Sequence, residues 1–146
     1  MKNLIGGCLS FILTSCYFGM NEAGEEIVNN CYLVRWDSDT WISYSKSGDG
    51  IWDTENMIVG HNVFTLGDYD DFIFGMQHPC ENKLPHVQDY DSLRPDRNVT
   101  NYFIIDSRED SCIVHIYHNE ITFNDARTLF GIPSNLPYKF YASEID

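Results

Sequence analysis

Six short runs dense in aromatic and β-branched residues, each bounded by a turn-forming cluster, constrain this chain more than any other feature. "CYLVRW" (31–36) and "TWISYSK" (40–46) flank Asp37-Ser38-Asp39, a pattern that predicts a hairpin. Side chains alternate along a strand, so Tyr32, Val34 and Trp36 share one face while Cys31, Leu33 and Arg35 share the other. "SGDG" (47–50) is a second turn, after which "IW" (51–52) and "MIVGHNVFTL" (57–66) read as extended segments. "GDYDD" (67–71) turns the chain into "FIFGMQ" (72–77), where Phe72, Phe74 and Met76 point one way. "NYFIID" (101–106) and "CIVHIYH" (112–118), separated by the polar "SREDS", make a third hairpin, with Cys112, Val114 and Ile116 on one face of its second strand.

Beyond these strands the period changes. Thr122-Phe123-Asn124-Asp125 fits a capping box, and Phe123, Ala126 and Phe130 then recur at helical spacing. Gly131 ends the helix and Pro133 blocks its continuation. The expectation is an α+β fold: mostly antiparallel β-hairpins forming one sheet or a small sandwich, with one short C-terminal helix that buries Phe123, Ala126 and Phe130. Between Pro79 and Thr100 lie Pro79, Pro85 and Pro95 among polar residues, a long irregular connection and hence a candidate contact surface.

The N-terminus reads differently from the rest. Met1-Lys2-Asn3 is followed by mostly apolar residues from Leu4 to Leu13 and by the small pair Thr14-Ser15, the layout of a signal peptide. A helix of about ten residues crosses only half of a ~30 Å hydrocarbon core, so a permanent span is not expected. Leu13-Thr14-Ser15-Cys16 resembles the lipobox of bacterial lipoproteins. That resemblance implies diacylglycerol on the Cys16 thiol, cleavage before it, and acylation of the new amine. Cys8, with seven residues before it and almost no hydrophobic region, is a weaker site. Residues 1–15 are then the leader, 16–26 the lipidated cysteine and a tether, and 27–146 a single globular β-rich domain. Two or more acyl chains make the anchor effectively permanent, since each buried methylene contributes about 0.8 kcal/mol.

The chain has 9 Lys and Arg against 22 Asp and Glu, a net charge of −13, and loss of Lys2 with the leader makes it one unit more negative. Nucleic acid is disfavoured, because phosphate contacts need clustered Lys and Arg. Anionic headgroups repel the body, so the anchor and not the charge must hold it at a membrane. Cys31, Cys80 and Cys112 remain beside Cys16, enough for at most one intrachain disulfide with one thiol left over. Their spacing does not suit a metal site, and no cofactor is expected.

No catalytic constellation emerges. His115 and His118 stand three apart on a strand and project to opposite faces, which does not suit one metal ion. Asp68, Asp70 and Asp71 lack the glycine and the bidentate glutamate of a calcium loop. No Gly-x-Ser-x-Gly elbow is present, and Cys80 near His78 lies in a Pro-flanked loop without a visible oxyanion hole. Asn98-Val99-Thr100 matches a glycosylation sequon and reads as ordinary loop in a bacterial protein.

"VFTLGDYDDFIFGMQHP" (63–79), "NYFIIDSREDSCIVHI" (101–116) and "EITFNDARTLFGI" (120–132) carry a second resemblance. Together they are similar to a family of small bacterial lipoproteins described only as a domain of unknown function, DUF3997. The shared features are a strand ending in Tyr and Asp, a strand closing on Gln, Tyr-x-Ile-Ile-Asp, and a final helix carrying Phe123, Arg127, Gly131 and Ile132. The likeness spans roughly residues 58–132 and departs around Cys80. It implies no catalytic residues. The expected role is a membrane-anchored extracytoplasmic binding module. The alternatives are an inhibitor or immunity protein for a basic toxin or wall-degrading enzyme, and a hydrolase using paired carboxylates, which glycoside cleavage would need about 5–10 Å apart.

Overall fold

The computed structural model describes residues 24–36, 39–48, 56–80, 94–109 and 112–140. The expected leader, Cys16, the expected tether up to residue 23, Asp37-Ser38, Ile51-Trp52 and residues 81–93 of the long connection lie outside them. The described residues form two antiparallel sheets. A four-stranded sheet has the order β1 (Glu25–Val28), β2 (Cys31–Trp36), β3 (Asp39–Tyr44) and β4 (Met57–Val59). In the five-stranded sheet, β5 (Val63–Tyr69) pairs with β6 (Phe72–Gln77), β6 with β7 (Asn101–Asp106), and β7 with β8 (Ile113–Tyr117). β9 (Lys139–Phe140) adds to the far side of β5. The helix α1 spans Glu120–Leu129.

The three expected hairpins form, and two further features complete the sheets. β1 begins at Glu25, inside the stretch expected to be tether. Asn29 and Asn30, with φ of 46° and 62°, make the two-residue turn to β2; positive φ at both positions is the turn geometry that matches strand twist. The segment 57–66 is two strands rather than one. Asn62, at φ 62°, breaks it, and the chain crosses there from the four-stranded to the five-stranded sheet.

The three central strands of the five-stranded sheet, β5 to β7, are buried on both faces. Leu66, Ile73, Phe103 and Ile105 pack against Cys31, Leu33, Ile42 and Val59 of the other sheet. Phe72, Phe74 and Ile104 on the opposite face pack under Phe123, Ala126 and Ile132. The result is three layers: sheet, sheet, then helix with the C-terminal segment. Fully burying each large apolar side chain contributes about 1.5–3 kcal/mol. Gly75 makes room for this arrangement. A methyl there would lie 2.3 Å from the Thr65 carbonyl oxygen and 2.6 Å from the Phe103 ring, which closes over its cross-strand partner.

Asn119, not Thr122, caps the helix. Asn119 is extended, at φ −149° and ψ 155°, and its Oδ1 accepts from the Thr122 amide at 2.9 Å. The earlier start gains one turn that the capping-box reading leaves out. At the other end Gly131 takes φ 72°, the Ile132 amide donates to Arg127 O at 2.9 Å, and the Gly131 amide donates to Thr128 O at 3.1 Å. These are the two bonds of a Schellman motif, with Ile132 providing the apolar contact. Arg127 is 4% exposed. Its guanidinium donates to Pro133 O at 2.6 Å and Tyr138 Oη at 3.0 Å and lies 4.6 Å from the Phe74 ring centre, so it ties helix, tail and sheet together.

Phe123 and Ala126 are buried as expected, whereas Phe130 is the half-buried C-cap, leaning on Phe72 and His115. Phe123→Ala should therefore lower stability by about 3–5 kcal/mol and Phe130→Ala by distinctly less, read from denaturant midpoints. Gly75→Ala should cost about 1–3 kcal/mol or more, because the obstructing atom is backbone. An unchanged midpoint for Gly75→Ala would show that the two central strands can separate to admit a methyl.

Candidate functional site

Strand direction sorts the polar residues to the two ends of the sandwich. One end collects the β1–β2, β5–β6 and β7–β8 turns. There Asn29 Nδ2 donates to Asp71 Oδ1 at 2.9 Å and to Ser107 O at 3.2 Å, and Ser107 Oγ donates to Asp71 O at 2.6 Å. Asp70 occupies the β5–β6 turn at φ 50°. The acidic turn is thus a structural clasp between sheets, and Asp68 and Asp70 are exposed beside it.

The opposite end holds a denser cluster. Asp39, at the start of β3, accepts from the Thr40 amide at 2.7 Å and the Asn62 amide at 2.9 Å through Oδ1, and pairs with His61 Nδ1 through Oδ2. Thr40 Oγ1 donates to Val63 O, and Gln77 Nε2 donates to His61 O at 3.0 Å. Asp39 and His61 are each only 13% exposed in their side chains, so the crossover between sheets is held by a largely dry polar knot. Asn62 extends it, donating through Nδ2 to Cys80 Sγ at 3.1 Å.

The long connection leaves from this knot and returns to it. Cys80 bridges to Pro95, and the Asp96 amide donates to Pro79 O at 2.8 Å. Its base is fixed, whatever residues 81–93 contact. His78 Nδ1 meets Val99 O at 2.9 Å while its ring stacks on Phe64 with centres 4.3 Å apart, so His78 serves the loop base and is not turned to Cys80. Burial, reinforced by the Asp39 charge, pushes the Cys80 thiol up, and the Asn62 bond only partly opposes this. A thiol raised in this way is a poor nucleophile. His115 and His118 are not brought together: His115 lies against Phe130, and His118 Nδ1 meets Asn101 Oδ1 at 3.0 Å. No group of three or more metal-ligating side chains occurs among the described residues.

Between the open edges of the sheets lies a cavity of about 170 Å³. Glu25, Glu26, Asp68 and Lys139 rim it above Leu33 and Leu66. Asp106, at the end of β7, is not part of either site. It takes a two-bond contact from Arg108, Nε to Oδ1 at 2.8 Å and Nη2 to Oδ2 at 2.5 Å, which holds its carboxyl below the usual carboxylate range. Neither the Asp39–His61 knot nor the cavity is legible in the sequence: Asp39 falls in the turn Asp37-Ser38-Asp39, and the local hint of the knot is Gly60-His61-Asn62 interrupting an apolar run.

Two β-sheets packed face to face, one of them also covered by a helix, define a small layered α+β domain without an evident catalytic array among its described residues. The chain belongs to the family described as "Protein of unknown function (DUF3997)", whose model matches residues 28–146 and so extends beyond the stretch that carries the sequence resemblance. No curated protein and no solved structure matches it.

Asp39→Ala would leave the Thr40 and Asn62 amides and the His61 ring without their acceptor, and should lower stability by about 2–4 kcal/mol in urea unfolding. Asp39→Asn, which keeps one acceptor oxygen, should cost less. A second prediction concerns pH. The Asp106 carboxyl is held low in the folded state, so its contribution is complete above the unfolded value of about 3.9 and disappears as pH falls through the lower folded value. The melting temperatures of the parent and Asp106→Asn should differ at neutral pH and converge in strong acid; a constant gap across pH would contradict this.

Proposed function

We propose that the chain is an exported lipoprotein, anchored through acylated Cys16 at the cell envelope, whose domain is a non-catalytic module that binds a basic protein or peptide. The observation that carries the binding reading is the acid-rimmed cavity. Three carboxylates at its mouth, from Glu25, Glu26 and Asp68, outnumber the rim's Lys139 and Glu25's partner Arg35, and suit a Lys or Arg side chain whose alkyl stem rests on Leu33 and Leu66. The net charge of −13 works in the same direction by steering a cationic partner toward the domain. The 79–100 connection, fixed at its base and flanked by the exposed Val99, offers a second contact.

The most enclosed described carboxylates favour binding over hydrolysis. Asp39 holds two amides and His61, and Asp106 holds Arg108. Each is committed to the fold, leaving no enclosed pair for acid–base work among the described residues. An inhibitor or immunity protein for a cationic toxin or wall-degrading enzyme is the narrower form of the same reading.

Two experiments test it. Cys16→Ser should move the protein from the membrane to the soluble fraction; equal membrane partition of parent and variant would contradict the anchor. Envelope extract passed over the immobilised Cys16→Ser chain should yield a stoichiometric basic protein whose association slows as salt rises, because exposed charges are screened beyond about 8 Å at physiological ionic strength. Glu25→Gln with Asp68→Asn should weaken that complex. Recovery of no partner, together with glycan or ester turnover abolished by one Asp or Glu substitution, would replace the module with an enzyme.

A further inference from the structure

Cys31 and Cys112 belong to different sheets yet meet in one core. Cys31 opens β2 and is 0% exposed; Cys112 immediately precedes β8 and packs, partly buried, on the same cluster of Leu33, Ile73, Phe103 and Ile105. A neighbouring side-chain contact agrees with the approach. Asn29, two residues before Cys31, donates to both O and Oγ of Ser107, at the start of the turn that leads to Cys112. Cys80 is at the other end of the sandwich, against Asn62. A six-residue strand, about 20 Å long, separates the two ends, and a disulfide requires Cα atoms within about 7 Å. Of the three pairings open to Cys31, Cys80 and Cys112, geometry therefore leaves one.

We propose that Cys31 and Cys112 form an inter-sheet disulfide that locks the four-stranded sheet to the edge of the five-stranded sheet, and that Cys80 stays a thiol. Cys31, Cys80 and Cys112 are unbridged in the structure. The interaction between Cys31 and Cys112 lowers the Cys112 thiol and raises that of Cys31, and Cys112 is also the more exposed of the two, so Cys112 is the attacking thiolate. Cys112 attacks the disulfide of a donor, such as a thiol–disulfide oxidoreductase, forming a mixed disulfide and expelling one donor thiolate. Cys31 then loses its proton and attacks the Cys112 sulfur, expelling the second donor thiolate. Two electrons pass to the donor disulfide, which becomes two thiols, and the protein loses two hydrogens. The closed loop is about 80 residues long, which places the bridge among those that restrict the unfolded chain most.

The test uses the full chain carrying Cys8→Ser and Cys16→Ser, with glutathione disulfide as oxidant. After oxidation and denaturation, alkylation should fall from three thiols to one. Non-reducing peptide mapping should link the Cys31 and Cys112 peptides, with the alkyl group on Cys80. Reduction should lower the unfolding midpoint by about 10 °C, the scale expected for a loop of this length. A linked peptide containing Cys80, or three alkylatable thiols after prolonged oxidation, would overturn the proposal. No core substitution is needed, so misfolding of a variant cannot imitate either result. The outcome is independent of the cavity and of Cys16, and failure here leaves the binding reading standing.

Discussion

The central strands of the five-stranded sheet have no face to give to water, and the rest of the molecule follows from that. β6 carries Phe72 and Phe74 on one face and Ile73 on the other, while β7 carries Ile104 on one face and Phe103 and Ile105 on the other. A sheet apolar on both faces must be covered twice. The four-stranded sheet covers one side, and the helix with the C-terminal segment covers the other. Arg127 belongs to this second cover, its guanidinium donating to Pro133 O and Tyr138 Oη and laid on Phe74. Because its hydrogen-bonding partners are a carbonyl and a phenol, the residue serves as a three-way tie whose orientation depends on the tail following the helix closely. The Gly131 turn secures that path.

Local features of this fold were legible in the sequence and distant ones were not. Turns such as that before Phe72 announce themselves by composition, and alternation then assigns faces, so the three hairpins and the late helix could be read directly. The partition into two sheets could not. It depends on Asn62 adopting positive φ in the middle of a run that otherwise reads as one strand. β1 was hidden for a related reason: Asn29-Asn30 is a turn signal, but Glu25 and Glu26 before it are exposed and lack the apolar signature of a strand. The helix cap was misplaced because Thr122 satisfies the capping-box pattern, while Asn119 has the extended backbone that a cap needs. For the polar knot, Asp39 and His61 lie 22 residues apart and acquire meaning only when β3 and the crossover meet.

The polar groups divide labour between the two ends. At the end with the β1–β2 and β5–β6 turns, Asn29, Asp71 and Ser107 clasp the sheets over a core that Cys31 and Cys112 share. At the other end Asp39, His61 and Asn62 hold the crossover and the foot of the long connection. A domain clamped at both ends is a rigid platform, and rigidity favours recognition, because little conformational freedom is lost on binding. An acidic cavity at the sheet edge and a fixed loop base suit a module that works by contact.

Delivery of this platform to a membrane surface by Cys16, as proposed, is read in the intact mass of the protein extracted with detergent from membranes of cells expressing the full chain. The expected species is a chain starting at Cys16 and heavier than its sequence by a diacylglycerol, with or without a further acyl group. A mass matching a chain that begins at Met1, or one beginning elsewhere and bearing no lipid, would contradict it.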